Sequence, residues 1–225
     1  MKISILSADI GNLDSPKPGI MKQVLPINWE LDYKYINETV LPLRPVSLSP
    51  RMQSKIPKML GFEYTDADFI IWLDSAYTIK TDNFVKWMLD HLNYLNGGKI
   101  CLMPHDQRKS IKSELDFVMM LMLRKDPYIL NRYFNEPMIN QVNTYLNDKT
   151  FNDTWLAAAG CFIYHNTLEM QLVMKDWLLE CVKWSCQDQF SLPYVLNKHK
   201  IIPRWLDHSV WDCPHLQYTA HKKIA

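Results

Sequence analysis

The chain has 225 residues and a formal net charge of +1 at pH 7. Apolar residues make up 48% and charged residues 22%, an ordinary balance for a globular protein that can bury a sizeable core. The near-neutral charge argues against bulk binding to nucleic acid or to a membrane surface, and no apolar segment reaches membrane-spanning length.

The first part of the chain alternates β-rich and helical segments. Residues 3–8 predict a strand that gives way to a polar turn at 9–12, a common first unit of nucleotide-binding α/β folds. Residues 29–36 alternate apolar and polar side chains and predict a second strand. After a proline-rich loop, residues 51–60 predict a helix that stops near Gly61.

The clearest feature is the segment 68–74, in which five consecutive apolar residues precede an acid, Asp74. This pattern predicts a strand that is buried on both faces and carries a carboxylate at its C-terminal end. Residues 81–94 have helical spacing, and residues 99–104 predict another short strand. The two segments are separated by a pair of glycines that ends the helix.

The second part of the chain continues the alternation. Residues 114–132 predict a helical stretch interrupted near Pro127, and residues 156–164 predict a buried strand that opens with small residues. Residues 168–186 predict a long helix, and a shorter helix starts at Asp188. The order of elements predicts an α/β three-layer sandwich of helices around a mostly parallel, mixed sheet.

The domain organisation follows from the absence of any Gly- or Ser-rich linker. We therefore expect one domain over residues 1–225. Residues 1–100 would form a Rossmann-like, nucleotide-binding half, and residues 101–225 an acceptor-side half with a C-terminal tail.

Asp74 is the first candidate for chemistry, because ligands of open α/β sheets bind beyond the carboxyl ends of the strands. A carboxylate at that position suits a divalent cation that keeps open positions for diphosphate oxygens. The alternative is an acid that only caps a strand-to-turn junction.

Asp188 is the second candidate. It could act in the cleft as the base that deprotonates an acceptor hydroxyl, or it could simply cap the following helix. Gln189 beside it could bind sugar hydroxyls. Basic residues spaced by three to four positions form another candidate group, which could neutralise a diphosphate or could be a solvated helix face: Arg51, Lys55 and Lys58.

The C-terminal tail is rich in Trp and His, with histidines at positions 208, 215 and 221. The tail could fold over the cleft, with one His completing a metal shell and Trp205 or Trp211 stacking on a sugar. His105 and Asp106 are weaker candidates for the acceptor side. With only six glycines and no phosphate-binding glycine loop, phosphate binding through a metal and basic side chains is favoured.

The cysteines are odd in number, widely scattered and without a C-x-x-C pair: Cys101, Cys161, Cys181, Cys186 and Cys213. This pattern argues against a zinc ribbon and predicts reduced, mostly buried thiols. The N-terminal apolar run is too short for a signal-peptide core. We therefore expect a cytoplasmic protein, located in the host cytoplasm if the source is a virus.

Several segments in series resemble a glycosyltransferase-like family of plants, bacteria and large DNA viruses, formerly a domain of unknown function. Residues 54–60 (SKIPKML) and 68–76 (DFIIWLDSA) are similar to its "K-x-P-K … Y-S-I-W-I-D-G" core. Residues 141–145 (QVNTY) resemble its "Q-V-x-x-Y" helix, and residues 157–163 (AAAGCFI) its small-residue strand. Further matches are residues 188–195 (DQFSLPYV), which resemble "D-Q-L-S-F-x-Y-V", and an aromatic–His pair at residues 218–221. The small GT-A domain of chlorovirus capsid glycosyltransferases is also similar.

The resemblance implies a GT-A-like fold that binds a nucleotide sugar, often a UDP-sugar, with Mn²⁺ or Mg²⁺. Asp74 would match the first acid of the D-x-D-type metal motif, whose second acid is replaced here by Ala76. The metal would then be held by Asp74, a tail histidine (His221 is favoured) and the donor phosphates. The donor is further expected to contact residues at the ends of two predicted strands, on the basic segment and beside Asp188. These residues are Ala8, Asp9, Arg51, Lys55, Ser75 and Gln189.

The resulting hypothesis is a metal-assisted transfer to a glycan or glycoprotein acceptor, inverting if Asp188 is the base. A retaining enzyme could place the Asp188–Gln189 pair against the donor sugar instead. Ala76 keeps open a degenerate GT-A domain that only binds a nucleotide or glycan. A metal-dependent phosphohydrolase or nuclease ranks third, because Asp66 and Asp68 precede the strand that ends at Asp74.

Overall fold

The computed structural model describes residues 1–11, 21–44 and 46–219. Its strands are β1 Lys2–Ala8, β2 Glu30–Ile36, β3 Phe69–Leu73, β4 Tyr77–Ile79, β5 Ile100–Pro104, β6 Ala157–His165, β7 Arg204–Trp205 and β8 Leu216–Tyr218. Its α-helices are α1 Pro50–Gln53, α2 Lys55–Met59, α3 Phe84–Leu92, α4 Ile111–Leu123, α5 Pro127–Tyr133, α6 Met138–Leu146, α7 Leu168–Lys183 and α8 Asp188–Lys198.

Six of these strands form a mixed sheet in the order β2-β1-β3-β6-β5-β7. β1 is parallel to β2 and β3, β6 is antiparallel to β3 and β5, and β7 is parallel to β5. The carboxyl ends of β1, β3 and β5 therefore lie at one edge of the sheet, next to the amino end of β6. Strands from both predicted halves of the chain share this sheet.

Alternating side chains of the central strands pack into two cores, one on each face of the sheet. Leu6 and Trp72 face a core shared with α7 and α8, where Trp177 is fully buried. Ile5 and Ile71 face the opposite core, which includes α3. Each fully buried side chain of this size contributes about 1.5–3 kcal/mol. The predicted three-layer α/β sandwich with a mixed sheet is confirmed.

The predicted helix 51–60 is wrong in detail, because the structure divides it into α1 and α2. The Oγ atom of Ser49 accepts a hydrogen bond from Met52 N at 3.1 Å and caps α1. Ser54 separates the two helices, and Pro57 within α2 has no N–H to continue the hydrogen-bond ladder. The basic segment therefore lies on two short helices that run in series.

The other predicted helices differ mainly at their ends. The predicted helix 81–94 is shorter, since α3 ends where Asn93 adopts the left-handed conformation (φ 51°). The predicted stretch 114–132 is two helices, because Asp126 caps a new helix that begins with Pro127. The strands β4, β7 and β8 are only two or three residues long, which is too short for an alternation of apolar and polar residues to be recognised in the sequence.

The C-terminal segment returns to the edge of the main sheet that carries the carboxyl ends of β1 and β3. β8 pairs antiparallel with β4, which places the ring of Tyr218 5.4 Å from that of Tyr77. All five cysteines are free and buried, as predicted. Within the described ranges, no helix is long and apolar enough to cross a membrane.

Candidate functional site

A cleft of about 900 Å³ opens at the carboxyl edge of the main sheet. Its floor is formed by the ends of β1 and β3 and the start of β6, and its walls by α1, α2, α5 and the start of α8. The described residues that the sequence predicts for donor binding or as the catalytic base line this cleft: Ala8, Asp9, Arg51, Lys55, Asp74, Ser75, Asp188 and Gln189. The predicted metal ligand His221 lies outside the described residues.

The register of the sheet explains this convergence. Leu6 pairs with Trp72 across β1 and β3, so the residues that follow these strands emerge side by side. The backbone N–H of Asp74 donates to Gly160 O at 2.8 Å, which brings the start of β6 to the same point. Asp9 is fixed in a similar way, since its N–H donates to Ile36 O at 3.0 Å.

A buried cluster of one carboxylate and two ammonium groups lies against one wall. Oδ2 of Asp188 is 2.7 Å from Nζ of Lys55 and 2.7 Å from Nζ of Lys58. The side chains of Asp188 and Lys58 are only 6% and 4% exposed. Burial acts to raise the pKa of Asp188, but the two ammonium groups outweigh it and hold that pKa well below its usual range.

The same cluster decides two alternatives that the sequence left open. The ammonium groups of Lys55 and Lys58 are paired inside the cleft, so the interpretation of a solvated basic face is wrong. Burial acts to lower the pKa of Lys55, and the Asp188 and Asp74 charges raise it overall. Asp188 is the first residue of α8 and the cap is Gln187, so the capping interpretation is wrong as well.

Asp74 follows β3 and turns its carboxylate into the cleft. Its Oδ1 accepts a hydrogen bond from Trp72 Nε1 at 2.6 Å and lies 3.5 Å from Lys58 Nζ. The side chain is 37% exposed, far more than that of Asp188. Asp74 is therefore the accessible carboxylate at this point, while Asp188 is enclosed by its partners.

The donor set around Asp74 fits a cation shared with a substrate rather than a metal site made by protein alone. Among the described residues, no group of three or more His, Cys, Asp and Glu side chains could hold a metal ion. Mg²⁺-type ions are commonly held by one or two carboxylates together with substrate phosphates, and Asp74 offers one such carboxylate.

Gly160 is required by the close packing beneath Asp74. A Cβ atom at this position would lie 2.8 Å from Cε2 and 2.9 Å from the hydroxyl oxygen of Tyr77. It would also lie 3.1 Å from Oδ2 of Asp74. The small-residue character of the strand was visible in the sequence, and the reason for it at Gly160 is the approach of these two side chains.

We expect Gly160→Ala to lower the free energy of unfolding by about 1–3 kcal/mol, since Tyr77 is buried and has little room to move. The displaced ring would also push on the Asp74 carboxylate, so the nucleotide binding that the sequence predicts should weaken. Chemical denaturation and a UDP titration would measure the two effects. An unchanged midpoint with unchanged UDP affinity would contradict this packing argument.

A hydrogen-bond network behind the cleft orients the two glutamines that flank Asp188. Gln187 accepts from Tyr133 OH at 2.8 Å and donates to Oε1 of Glu114 at 3.1 Å. Nε2 of Gln187 also donates to Oε1 of Gln189 at 3.1 Å, and Gln189 in turn donates to Ala157 O at 2.8 Å. The start of α8 is therefore tied to α4, α5 and β6.

Other candidate residues lie elsewhere. His105 interacts with Nη2 of Arg108 at 2.9 Å and is not among the cleft residues. His208 and His215 pack against Trp87 of α3, with ring centroids 6.5 and 4.5 Å away. The tail does reach the cleft through Tyr218, whose ring also contacts that of the exposed Trp211.

The acids proposed for a two-metal phosphohydrolase or nuclease do not meet. Asp66 is exposed and pairs with Lys2 at 2.8 Å, at the amino end of the parallel strands. Asp68 accepts a hydrogen bond from Lys2 N at the same end of the sheet. It precedes β3, whereas Asp74 follows β3 at the opposite end. The described residues therefore hold no cluster of carboxylates for that chemistry.

Several cleft residues carried no signal in the sequence. They are Tyr77, Arg132, Tyr133 and Gln187, whereas Trp72 and Tyr218 lie in segments that carried the family resemblance. Gln187 could have been suspected from its position beside Asp188, but Arg132 and Tyr133 lie in a helix that the sequence connects with nothing else in the site.

Comparisons with known proteins indicate a glycosyltransferase-like α/β domain. A family model described as TOD1/MUCI70, glycosyltransferase-like domain, matches residues 43–220. Among curated proteins, no sequence matches significantly. The structure of mouse xyloside xylosyltransferase 1 in its apo form is similar with a TM-score of 0.50 and 10% identity, covering 92% of this chain and 86% of that one.

A second, weaker similarity is to A197 from STIV, with a TM-score of 0.39, 10% identity and coverage of 91% and 80%. At 10% identity, the likeness to the xylosyltransferase establishes a GT-A-like α/β fold and not a substrate. The fold expected from the sequence is confirmed.

Proposed function

Because the chain belongs to the TOD1/MUCI70 glycosyltransferase-like domain family, we propose that it moves a sugar from a nucleotide-sugar donor, a UDP-sugar, to a glycan or glycoprotein acceptor. The observation that supports this most is the convergence of the predicted donor-binding residues on one cleft at the carboxyl edge of the sheet. A nucleotide binds at this edge in open α/β folds.

In this proposal the nucleoside lies over the end of β1, against Ala8 and Asp9. The hydroxyl of Tyr35 donates to Oδ2 of Asp9 at 3.3 Å and helps to orient that carboxylate. The diphosphate lies toward Asp74 and Ser75, where the Lys58 ammonium group lies 3.5 Å from Oδ1 of Asp74.

The proposed cofactor is Mn²⁺, or Mg²⁺, which Asp74 would hold together with oxygens of the donor. Bound there, the ion would act as a Lewis acid that neutralises charge on the departing nucleoside diphosphate. The hydrogen bond from Trp72 Nε1 to Oδ1 holds the Asp74 carboxylate in place. The second protein ligand, His221, stays a prediction.

The geometry favours a different role for Asp188 from that of general base. A carboxylate with a pKa held well below its usual range is a weak proton acceptor, and two lysines already occupy Oδ2. We propose that Asp188 positions Lys55 and Lys58, whose ammonium groups donate to oxygens of the donor. With this role for Asp188, no residue is assigned as the base that an inverting transfer requires. Inversion at the anomeric carbon stays a prediction.

A thermal-shift panel of nucleotide sugars, with and without Mn²⁺, tests the function. A ligand at a hundredfold excess over its Kd should stabilise the protein by about 2.7 kcal/mol. A selective, Mn²⁺-dependent shift with one UDP-sugar would support the proposal, and the absence of any shift would contradict it.

The alternative is a degenerate GT-A domain that binds a nucleotide or glycan without transfer. The observation that favours it is Ala76, which is buried where the D-x-D-type motif would have its second acid. Slow hydrolysis of the bound nucleotide sugar by the purified protein would separate the two, because only a catalytic domain activates the donor. The cytoplasmic location and the absence of a nucleic-acid partner stay predictions.

A further inference from the structure

Two arginines line the cleft on the wall formed by α1 and α5. Arg51 lies in α1 and Arg132 in α5, and both belong to the cleft lining. Neither guanidinium group forms an ion pair with a carboxylate of the described residues, although Lys55 and Lys58 beside them share Asp188. Asp126 on the same wall uses its Oδ1 to accept from Ile129 N at 3.0 Å, so within the described part of the chain both guanidinium groups lack a paired carboxylate.

The surroundings of the two arginines make the lack of a paired carboxylate costly. Nε of Arg132 is buried and has no hydrogen-bond partner. Its guanidinium carbon lies 4.0 Å from the centroid of the Tyr128 ring, which fixes the plane of the group. Burial, and then the like charge of Arg132, lower the pKa of Arg51. Buried donors and paired like charges of this kind are stabilised by an anion.

The position of the pair separates it from the diphosphate site. Arg51 lies in α1, whereas Lys58 lies seven residues later in α2, beyond the break between the two helices at Ser54. The diphosphate is placed at the Lys58 end, beside Asp74. Between the two ends, Lys55 and Lys58 share the single carboxylate of Asp188. An anion at the arginines would thus belong to another part of the substrate.

We propose that Arg51 and Arg132 bind an oxyanion substituent of the sugar substrate, a carboxylate or a phosphate ester, so that the enzyme acts on an acidic sugar. Guanidinium groups suit this task because their N–H donors match carboxylate and phosphate oxygens in pairs. The inference deepens the proposed function and rests on it, since it names a substrate class for the same cleft.

The test compares acidic and neutral monosaccharides. D-glucuronate, D-glucose 6-phosphate and D-glucose are titrated against the full chain by ligand-observed NMR, with inorganic phosphate as a separate ligand. At least one acidic sugar should bind about tenfold or more tightly than glucose, and the better of the two identifies the substituent. Equal binding of all three sugars, or inorganic phosphate binding as tightly as the acidic sugars, would overturn the proposal.

Variants assign the preference to the arginines. Arg132→Gln should reduce the binding of the acidic sugar to the level of glucose, and Arg132→Lys should retain part of it because the charge remains. Arg124→Gln is the matched control, since Arg124 is exposed at the end of α4 and outside the cleft. A preference that persists in Arg132→Gln would overturn the assignment.

The stability of the variants distinguishes an arginine that binds substrate from an arginine that forms an internal ion pair. Arg132→Gln should lower the melting temperature no more than Arg124→Gln does, because no ion pair with the described residues is lost. A larger fall, together with no preference for acidic sugars, would show an internal partner and overturn the proposal. Binding of UDP with Mn²⁺ is measured in parallel. A wild-type protein that does not bind UDP contradicts the glycosyltransferase function, and a wild-type protein that binds UDP but does not prefer an acidic sugar contradicts this inference.

Discussion

Replacing Asp188 by Asn should lower the free energy of unfolding by about 3–5 kcal/mol and abolish glycosyl transfer. The carboxylate is 6% exposed and is 2.7 Å from the ammonium groups of both Lys55 and Lys58. Its removal leaves two buried positive charges that repel each other and no longer have a common counter-ion. Urea denaturation measures the stability, and transfer is followed with the donor that the thermal-shift panel identifies.

Two further variants show whether the loss comes from the buried charges. Lys55→Met combined with Asp188→Asn should recover part of the stability, because one of the two unpaired ammonium groups is removed and Lys58 still lies 3.5 Å from Asp74. Asp116→Asn is the surface control. It breaks an exposed pair with Lys112 and should cost no more than about 1 kcal/mol. An Asp188→Asn variant as stable as this control would contradict the argument.

The pH dependence of the same variant tests the role of Asp188. Its pKa is lowered in the folded state, so its stabilisation is complete above the ordinary Asp value of about 4 and is lost only as the pH falls below it. The stability difference between wild type and Asp188→Asn should therefore be constant from about pH 5 to pH 8. A difference that fades within that window would mean a raised pKa and would restore the general-base hypothesis.

Replacing Asp74 by Asn should remove the Mn²⁺-dependent part of UDP-sugar binding. Loss of an outer-shell partner already costs about 10–100-fold in metal affinity, and Asp74 is the proposed direct ligand. Stability should change little, since the Asn side-chain oxygen can still accept the hydrogen bond from Trp72 Nε1. Calorimetric titration of the UDP-sugar with and without Mn²⁺ measures the effect.

The matched control for Asp74 lies near the other end of the same strand. Asp66 is 83% exposed, and Asp66→Asn should leave both the nucleotide affinity and its dependence on Mn²⁺ unchanged. If Asp74→Asn still binds the UDP-sugar more tightly with Mn²⁺ than without it, the cation is held by other residues. The proposed place of Asp74 in the site would then be wrong.

The sequence by itself determined the layers of the fold and indicated where the candidate site lies. Five consecutive apolar residues from Phe69 to Leu73 predicted a strand buried on both faces, and an acid at its end was therefore expected at the edge of the sheet where ligands of such folds bind. Helical periodicity located α3 and α7, because a helix shows its buried face every three to four residues. Segment boundaries were less accurate where a single capping residue, such as Asn93 or Asp126, decides them.

Only the tertiary structure decided which charges meet. Lys55 and Asp188 are separated by 133 positions, and no local pattern shows that their side chains lie 2.7 Å apart. The same holds for Arg51 and Arg132, which share a wall of the cleft without any motif that connects them. The physical reason is the sequence separation over which each effect acts. Hydrophobic periodicity is set by neighbours within a turn or two of the chain. Ion pairing depends on the packing of elements that are distant in sequence and on the water that this packing excludes.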